Sequence, residues 1–231
     1  MHLATLKDTM RTYHKKLKRI KERGCKDFIK IKYSGKNVVL KLVDGSDETV
    51  KLLTNWRIKY RDMFASDFVI TEEKQKHWIK HGILENPDKI LFLIYVENRK
   101  IGIISTSNYD ENTNSCILDT MMKEPTFFLP GLMTTIEKVY LKWMFDGLKL
   151  SKIQGLLFRD NFPALVLHLS CGFQVVETFP IKKILSNDGW VWKKIDPKSE
   201  TNLAERYFRI IELSRENLIK NMDEIDSKMS F

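Results

Sequence analysis

The side chains of this 231-residue chain that could do chemistry together lie between Asn161 and Phe173, which read N-F-P-A-L-V-L-H-L-S-C-G-F. An asparagine followed by proline in the first turn is typical of a helix start, and Gly172 is typical of a helix end. Helical spacing puts Asn161, Ala164 and His168 on one face. That face would present a cap, a small residue and a titratable ring, which suits ligand binding combined with proton transfer.

A second segment, Pro130 to Thr135, reads as a turn that leads into a long helix from Gly131 to Phe145. A loop that ends at a helix N-terminus can hold a phosphate group through backbone N–H groups and the helix dipole. Alone, such a Pro-Gly turn is an ordinary structural feature. The candidate phosphate-binding residues are Pro130, Gly131, Leu132, Met133 and Thr134.

Hydrophobic periodicity and turn signals predict the elements that position these segments. In order they are a strand (38–43), two helices (49–60 and 71–79), three strands (90–96, 100–107 and 115–122), a helix (131–145), a strand (152–158), a helix (161–171) and two strands (174–184 and 190–195). An amphipathic helix that ends at Gly24 precedes them. Apolar residues spaced from Leu203 to Leu218 predict another amphipathic helix at the C-terminus.

This element order, with the Asn161 pattern in its place, resembles the GNAT superfamily of N-acyltransferases. The resemblance covers residues 37–196 and implies an α/β (α+β) fold. Its central sheet would be mixed, mostly antiparallel, with about seven strands and flanking helices. Residues 1–36 would form a basic helical extension, and 197–231 a C-terminal helix packed on the domain.

The Pro130 loop resembles the P-G-x-G-[ST] loop of nucleotide-sugar N-acetyltransferases of the pseudaminic-acid-biosynthesis type. Glu137 also matches their pattern, whereas Met133 replaces the second glycine. The W-R pair of Asn55-Trp56-Arg57, and Trp78, match positions that such enzymes place beside the acceptor. Asn55, Trp56, Arg57 and Trp78 are therefore the predicted acceptor-binding residues.

The resemblance also implies the chemistry, in which an amine attacks the thioester of acetyl-CoA or another short acyl-CoA, without a metal. His168 takes the place of the usual tyrosine as the acid for the leaving thiolate, and the alternative is a histidine that is only hydrogen-bonded at the edge of the groove. Asp119 is the candidate base, although a strand aspartate is also a common cross-strand partner, and a water chain is an alternative. The predicted acyl-CoA-binding residues outside the Pro130 loop are Thr120, Met121, Met122, Asn161, Ala164 and His168.

Composition excludes several other classes. The chain has 43% hydrophobic residues and no apolar run near the roughly 18 residues of a membrane span. Three scattered cysteines fit a reducing compartment, so we expect a cytoplasmic protein without a membrane partner. Its net charge of +9 comes from residues 1–36, with twelve basic and three acidic side chains, because the remainder has 27 of each.

The expected function is transfer of an acyl group to a nucleotide-linked amino sugar in cell-surface polysaccharide, O-antigen or lipopolysaccharide biosynthesis. Alternative acceptors are a protein N-terminus or another small amine, such as an antibiotic. A GNAT-like binding module without activity is the alternative of another class. For the N-terminal helix we expect docking on its own domain, with a homodimer contact as the second reading. A nucleic-acid-binding arm is the least favoured, because the apolar seam uses one face of the helix.

Overall fold

The computed structural model describes residues 2–196, 204–222 and 229–230, with side chains described from residue 12 to 196 and from 204 to 222. Within these ranges the strands form one sheet of eleven. Numbered along the chain, they are β1 Asp27–Tyr33, β2 Lys36–Leu42, β3 Ser66–Phe68, β4 Ile90–Val96, β5 Arg99–Asp110, β6 Ser115–Lys123, β7 Lys152–Phe158, β8 Gln174–Ser186, β9 Gly189–Lys194, β10 Arg206–Ser214 and β11 Met229–Ser230. Their spatial order is β11-β1-β2-β4-β5-β6-β7-β10-β8-β9-β3. The β6–β7 pair is parallel and the other pairs are antiparallel.

The helices of these ranges are α1 His2–Glu22, α2 Asp47–Lys59, α3 Glu72–His77, α4 Leu132–Gly147, α5 Phe162–Ser170 and α6 Arg215–Lys220, with a 3₁₀ turn at Arg61–Met63 and a π-helical segment at Trp78–Leu84 directly after α3. Side chains cap four of the six α-helices in the described ranges, α2, α3, α5 and α6. Ser46 caps α2 by accepting from the backbone N–H of Thr49, and Thr71 caps α3 in the same way. Such caps satisfy backbone donors that the first helical turn leaves free.

The two larger of three hydrophobic cores among the described residues cover the two faces of the sheet at β4. Its alternate residues Ile90, Phe92 and Ile94 pack in the core that contains α1 and α4. Leu91 and Leu93, between them, pack with α2 and the π-helical segment. Because successive strand residues point to opposite faces, a continuous apolar run is what a strand covered on both faces requires.

The predicted helices and strands from residue 37 to 196 are confirmed, but two terminal predictions are wrong. Asp27–Tyr33 is not part of a helical extension, because it forms β1 and pairs with β2. The stretch expected to be a C-terminal helix is β10 followed by the short α6. β10 pairs with β7 on one side and β8 on the other, so the sheet is larger than the seven strands expected. Residues 197–203 of the predicted helix lie outside the described part.

The N-terminal helix docks on its own domain, as favoured from the sequence. Tyr13, Leu17 and Ile20 are buried in the larger core. Lys21 Nζ donates to the backbone carbonyl of Ile83 at 2.6 Å, which ties α1 to the π-helical segment. The apolar seam predicted for this helix also includes Leu3, Leu6 and Met10. These three residues precede the part of α1 whose side chains are described.

Docking of α1 predicts a stability effect. Leu17→Ala should lower the free energy of unfolding by about 2–5 kcal/mol, because it removes a fully buried side chain. The matched control is Lys18→Ala, because the side chain of this neighbouring residue is 78% exposed. It should change the free energy of unfolding by less than about 0.5 kcal/mol. Urea unfolding of both variants is the measurement. Equal effects would show that α1 is not part of the folded core.

Candidate active site

The central strands β6 and β7 separate part-way along their length. They pair from Ser115↔Lys152 to Leu118↔Gly155. Beyond that point β6 continues to Lys123 beside β5, and β7 continues to Phe158 beside β10. The gap is the base of a cleft of about 680 Å³, lined by β6, β7 and α5.

A bulge in β6 shapes the floor of this cleft. Ile104 pairs with Met121 and Thr106 with Leu118, so two residues, Asp119 and Thr120, oppose the single Ser105 of β5. The N–H of Thr120 donates to Ser105 Oγ at 2.8 Å. Past Leu118, β6 no longer pairs with β7. The backbone N–H groups that β6 points towards β7 there are therefore the candidates for binding the carbonyl oxygen of a thioester. Strict alternation of strand side chains between the two faces of the sheet would put Asp119 and Met121 on one face. The bulge interrupts that alternation.

Helix α5 forms the facing wall. Asn161 Oδ1 accepts from the N–H of Ala164 at 3.3 Å, so Asn161 caps the helix as the sequence predicts. Asn161, Ala164 and His168 all line the cleft, together with Thr120, Met121 and Met122 across from them. The structure therefore brings together the predicted acyl-CoA-binding residues of β6 and α5.

His168 is held by a partner that the sequence analysis did not predict. Its Nδ1 lies 2.6 Å from Oε1 of Glu137, a residue of α4 with a fully buried side chain. The imidazole is 13% exposed and packs edge-on against Phe173. The other ring nitrogen, Nε2, is therefore the one available to the cleft.

The predicted phosphate loop reaches the cleft only through Met133. Gly131, with a φ of 73°, turns the chain into α4, and Leu132 is fully buried in the core. Tyr33 Oη donates to the carbonyl of Pro130 at 2.6 Å. A Cβ added to Gly131 would lie 2.5 Å from the Tyr33 hydroxyl oxygen. The loop is thus fixed by β1, and among its residues Pro130, Gly131, Leu132 and Thr134 are not part of the cleft lining.

A smaller cavity of about 310 Å³ shares a wall with the cleft. Phe64, Asp119, Thr120 and Met122 line both. Asp119 stands between the two spaces, where a base would need to be, and pairs with Lys89 through Oδ2 and Nζ at 3.1 Å. Its partner is therefore a lysine that precedes β4 rather than a cross-strand residue.

The smaller cavity is basic and aromatic. Its lining contains the cations Arg57, Lys74 and Lys89, against the single carboxylate of Asp119. Phe64, Phe68 and Trp78 supply its aromatic rings. Lys74 also contacts Asp188 at 3.3 Å, but that carboxylate is 73% exposed, so the pair is weak.

Arg57 is the most rigidly held of these cations. Its Nη2 donates to the Ser66 carbonyl at 2.9 Å, and its guanidinium lies over the Phe64 ring, 3.3 Å from the centroid. Nη1 is buried, and no described residue accepts its hydrogen bond. Burial lowers the pKa of Arg57 to about 10, so the side chain remains charged at neutral pH.

Two of the four predicted acceptor-binding residues lie elsewhere. Trp56 is buried in the core under α2, and Asn55 is exposed and does not line the cavity. Neighbouring helix positions point about 100° apart, so the three-residue match could not put all its members on one wall. Arg57 and Trp78 do line the cavity. Lys74, Lys89, Phe64 and Phe68 were missed, because chain folding brings them together and no local spacing indicates it.

The family model for the acetyltransferase (GNAT) domain matches residues 37–174, which is more than half of the chain. The chain belongs to the GNAT family. Its members' activity makes it an acyl-CoA-dependent N-acyltransferase. No curated protein matches the chain.

Solved structures resemble this GNAT protein in fold. The Campylobacter jejuni N-acetyltransferase PseH is 20% identical, with a TM-score of 0.50 over 76% of this chain and 98% of that one. A Vibrio cholerae spermidine N-acetyltransferase in complex with CoA and spermine is 13% identical, with a TM-score of 0.61 over 79% and 98%. The ribosomal α-N-protein acetyltransferase RimL in complex with coenzyme A is 13% identical, with a TM-score of 0.60 over 80% and 97%. These neighbours differ in acceptor, so the acceptor must be argued from the cavity.

Two features of the described part of the chain concern metal binding and membrane spans. No group of three or more His, Cys, Asp or Glu side chains there is placed to hold a metal ion. None of the helices in that part is long and apolar enough to cross a membrane.

Proposed function

We propose that this GNAT protein transfers an acetyl or short acyl group from acyl-CoA to the amino group of a nucleotide-linked amino sugar. The observation that carries the proposal is the smaller cavity beside the cleft, with three cations and three aromatic rings in its lining. Cations bind the phosphates of such an acceptor, and aromatic rings stack on its base or sugar. A polyamine would instead require an acidic cavity.

The residues take roles that follow from their places. The cleft between β6 and β7 holds the thioester arm, with Met121, Met122 and Met133 around the acyl group. The amine enters from the smaller cavity and meets the thioester at the shared wall. There Asp119, which is paired with Lys89, is the candidate acceptor of the amine's proton.

Binding of CoA is tested with two variants of α5. Ala164→Trp should abolish binding in isothermal titration, because it fills the cleft that Ala164 lines. Val166→Trp adds the same side chain at a position that is 67% exposed, and should bind CoA like the wild type. Equal binding by both variants, at unchanged thermal stability, would contradict the cleft as the CoA site.

The acceptor is tested by CoA release from acetyl-CoA with a panel of amines. The panel contains a UDP-linked amino sugar, the same sugar without the nucleotide, spermidine and a peptide with a free N-terminus. We expect the highest kcat/KM for the UDP-linked sugar. Preference for spermidine or the peptide would overturn the acceptor class while leaving the acyl-CoA site intact.

A further inference from the structure

Glu137 is a buried carboxylate that the proposed mechanism has not yet used. It lies in the second turn of α4, with none of its side chain exposed, and its Oε1 contacts His168 Nδ1 at 2.6 Å. Oε2 is also buried, and no described residue gives it a hydrogen bond. A buried carboxylate is costly unless a cation or several donors compensate for the loss of water.

The neighbours of Glu137 identify the compensating group. Cys171 is one of them, and burial, with a smaller contribution from the Glu137 carboxylate, raises the pKa of its thiol well above the usual value. That thiol is therefore neutral. Phe173, on the other side of His168, is apolar. Among the described residues, the polar partner of the Glu137 carboxylate is the ring of His168.

We infer that Glu137 is a positioning residue that fixes the His168 ring and its Nδ1-protonated tautomer for acid catalysis. The inference rests on the proposed function. Protonated His168 donates Nδ1–H to Glu137 and presents Nε2–H to the cleft. As the amine nitrogen bonds to the acyl carbon, it gives up a proton to Asp119. As the carbon–sulfur bond breaks, the sulfur takes the electron pair and the Nε2 proton. Neutral His168 then keeps its Nδ1 proton, still donated to Glu137.

The tautomer of His168 can be measured in the full chain by NMR with ¹⁵N-labelled histidine. We expect Nδ1 of His168 to be protonated throughout the titration of the ring. Glu137→Met keeps the length of the side chain but removes the acceptor, so His168 should shift to the Nε2-protonated tautomer when neutral. Glu137→Gln keeps the shape of the side chain but has an amide N–H that can donate to Nδ1, so it should also shift neutral His168 towards the Nε2-protonated tautomer. His14, which contacts Asp88 through Nε2, serves as an internal reference that none of the variants should change.

Kinetics give the second readout. Glu137→Met should lower kcat for acyl transfer to the UDP-linked amino sugar by at least about tenfold, with the Kd for CoA within about twofold of wild type. Glu216→Met, at an exposed position of α6, is the control for the substitution itself. An unchanged His168 tautomer in Glu137→Met would overturn the inference, and so would an unchanged kcat.

Failure of the inference and failure of the proposed function are distinguishable. Wild-type protein that does not bind CoA would contradict the proposed function, whereas the NMR spectra would still decide whether Glu137 sets the His168 tautomer. If Glu137→Met does not fold, Glu137→Gln replaces it. The amide N–H can donate to Nδ1, so an unchanged His168 tautomer in Glu137→Gln would overturn the inference.

Discussion

Replacement of His168 by alanine should lower kcat for acyl transfer about 100-fold at neutral pH, within the range that a positioned acid or base contributes. His168 is the titratable group of α5 that lines the cleft, and its Nδ1 is already engaged by Glu137. Without it, the sulfur must leave as a thiolate or take its proton from water. The affinity for CoA should change little, because the cap by Asn161 and the wall at Ala164 remain.

The measurement is a comparison of kcat with the Kd for CoA in wild type, His168→Ala and Val166→Ala. Val166→Ala truncates an exposed residue of the same helix and should behave as wild type. His168→Ala also leaves Glu137 buried without its hydrogen-bond partner, so thermal stability must be followed in parallel. A folded His168→Ala protein with wild-type kcat would exclude His168 as the acid.

Local sequence signals predicted α5 correctly because each signal acts within the segment. Asn161 accepts from a backbone N–H three residues away, and Gly172 adopts a φ of 99° that ends the helix. A Cβ at Gly172 would lie 2.6 Å from the carbonyl oxygen of Asn217. Glycine is therefore required there both for its positive φ and for lack of space. The residues that define the family resemblance are therefore also those whose structure is decided locally.

Strand β10 shows where local signals fail. Tyr207, Ile210 and Ile211 have a spacing that fits a helix face, and the sequence analysis predicted a helix on that basis. In the structure, pairing with both β7 and β8 overrides this spacing, and a bulge at Ile210/Ile211 shifts the alternation. Neither neighbour can be deduced from the segment itself, since both precede it in the chain by many residues.

The site was only half predictable for the same reason. His168 followed from its place in a motif, but Glu137, 31 positions earlier, matched only a loop pattern and gave no sign that it would contact His168. The basic cavity likewise combines Arg57 of α2, Lys74 of α3 and Lys89, which precedes β4. Beyond residue 36 the basic and acidic side chains are equal in number. Such a balanced total does not reveal that three cations gather in one cavity.

Arg57→Met should lower kcat/KM for the UDP-linked amino sugar about 10- to 100-fold, mainly through KM. A hydrogen bond to a charged group contributes about 1.5–3 kcal/mol, which corresponds to this range. Arg57 can supply it because Ser66 and the Phe64 ring already hold its guanidinium in place, so little side-chain entropy is lost on binding. The Kd for CoA should not change, since Arg57 lines the smaller cavity and not the cleft.

Three comparisons separate charge from packing at this position. Lys59→Met removes an exposed cation from the same helix and should have no effect on kcat/KM. Arg57→Lys keeps the charge but loses the planar fork, so it should fall between Arg57→Met and wild type. The amino sugar without its nucleotide should react equally well with wild type and Arg57→Met, because it offers no phosphate to the cavity. Equal losses with both sugars would mean that Arg57 supports the cavity wall around Phe64 and does not bind the acceptor's charge.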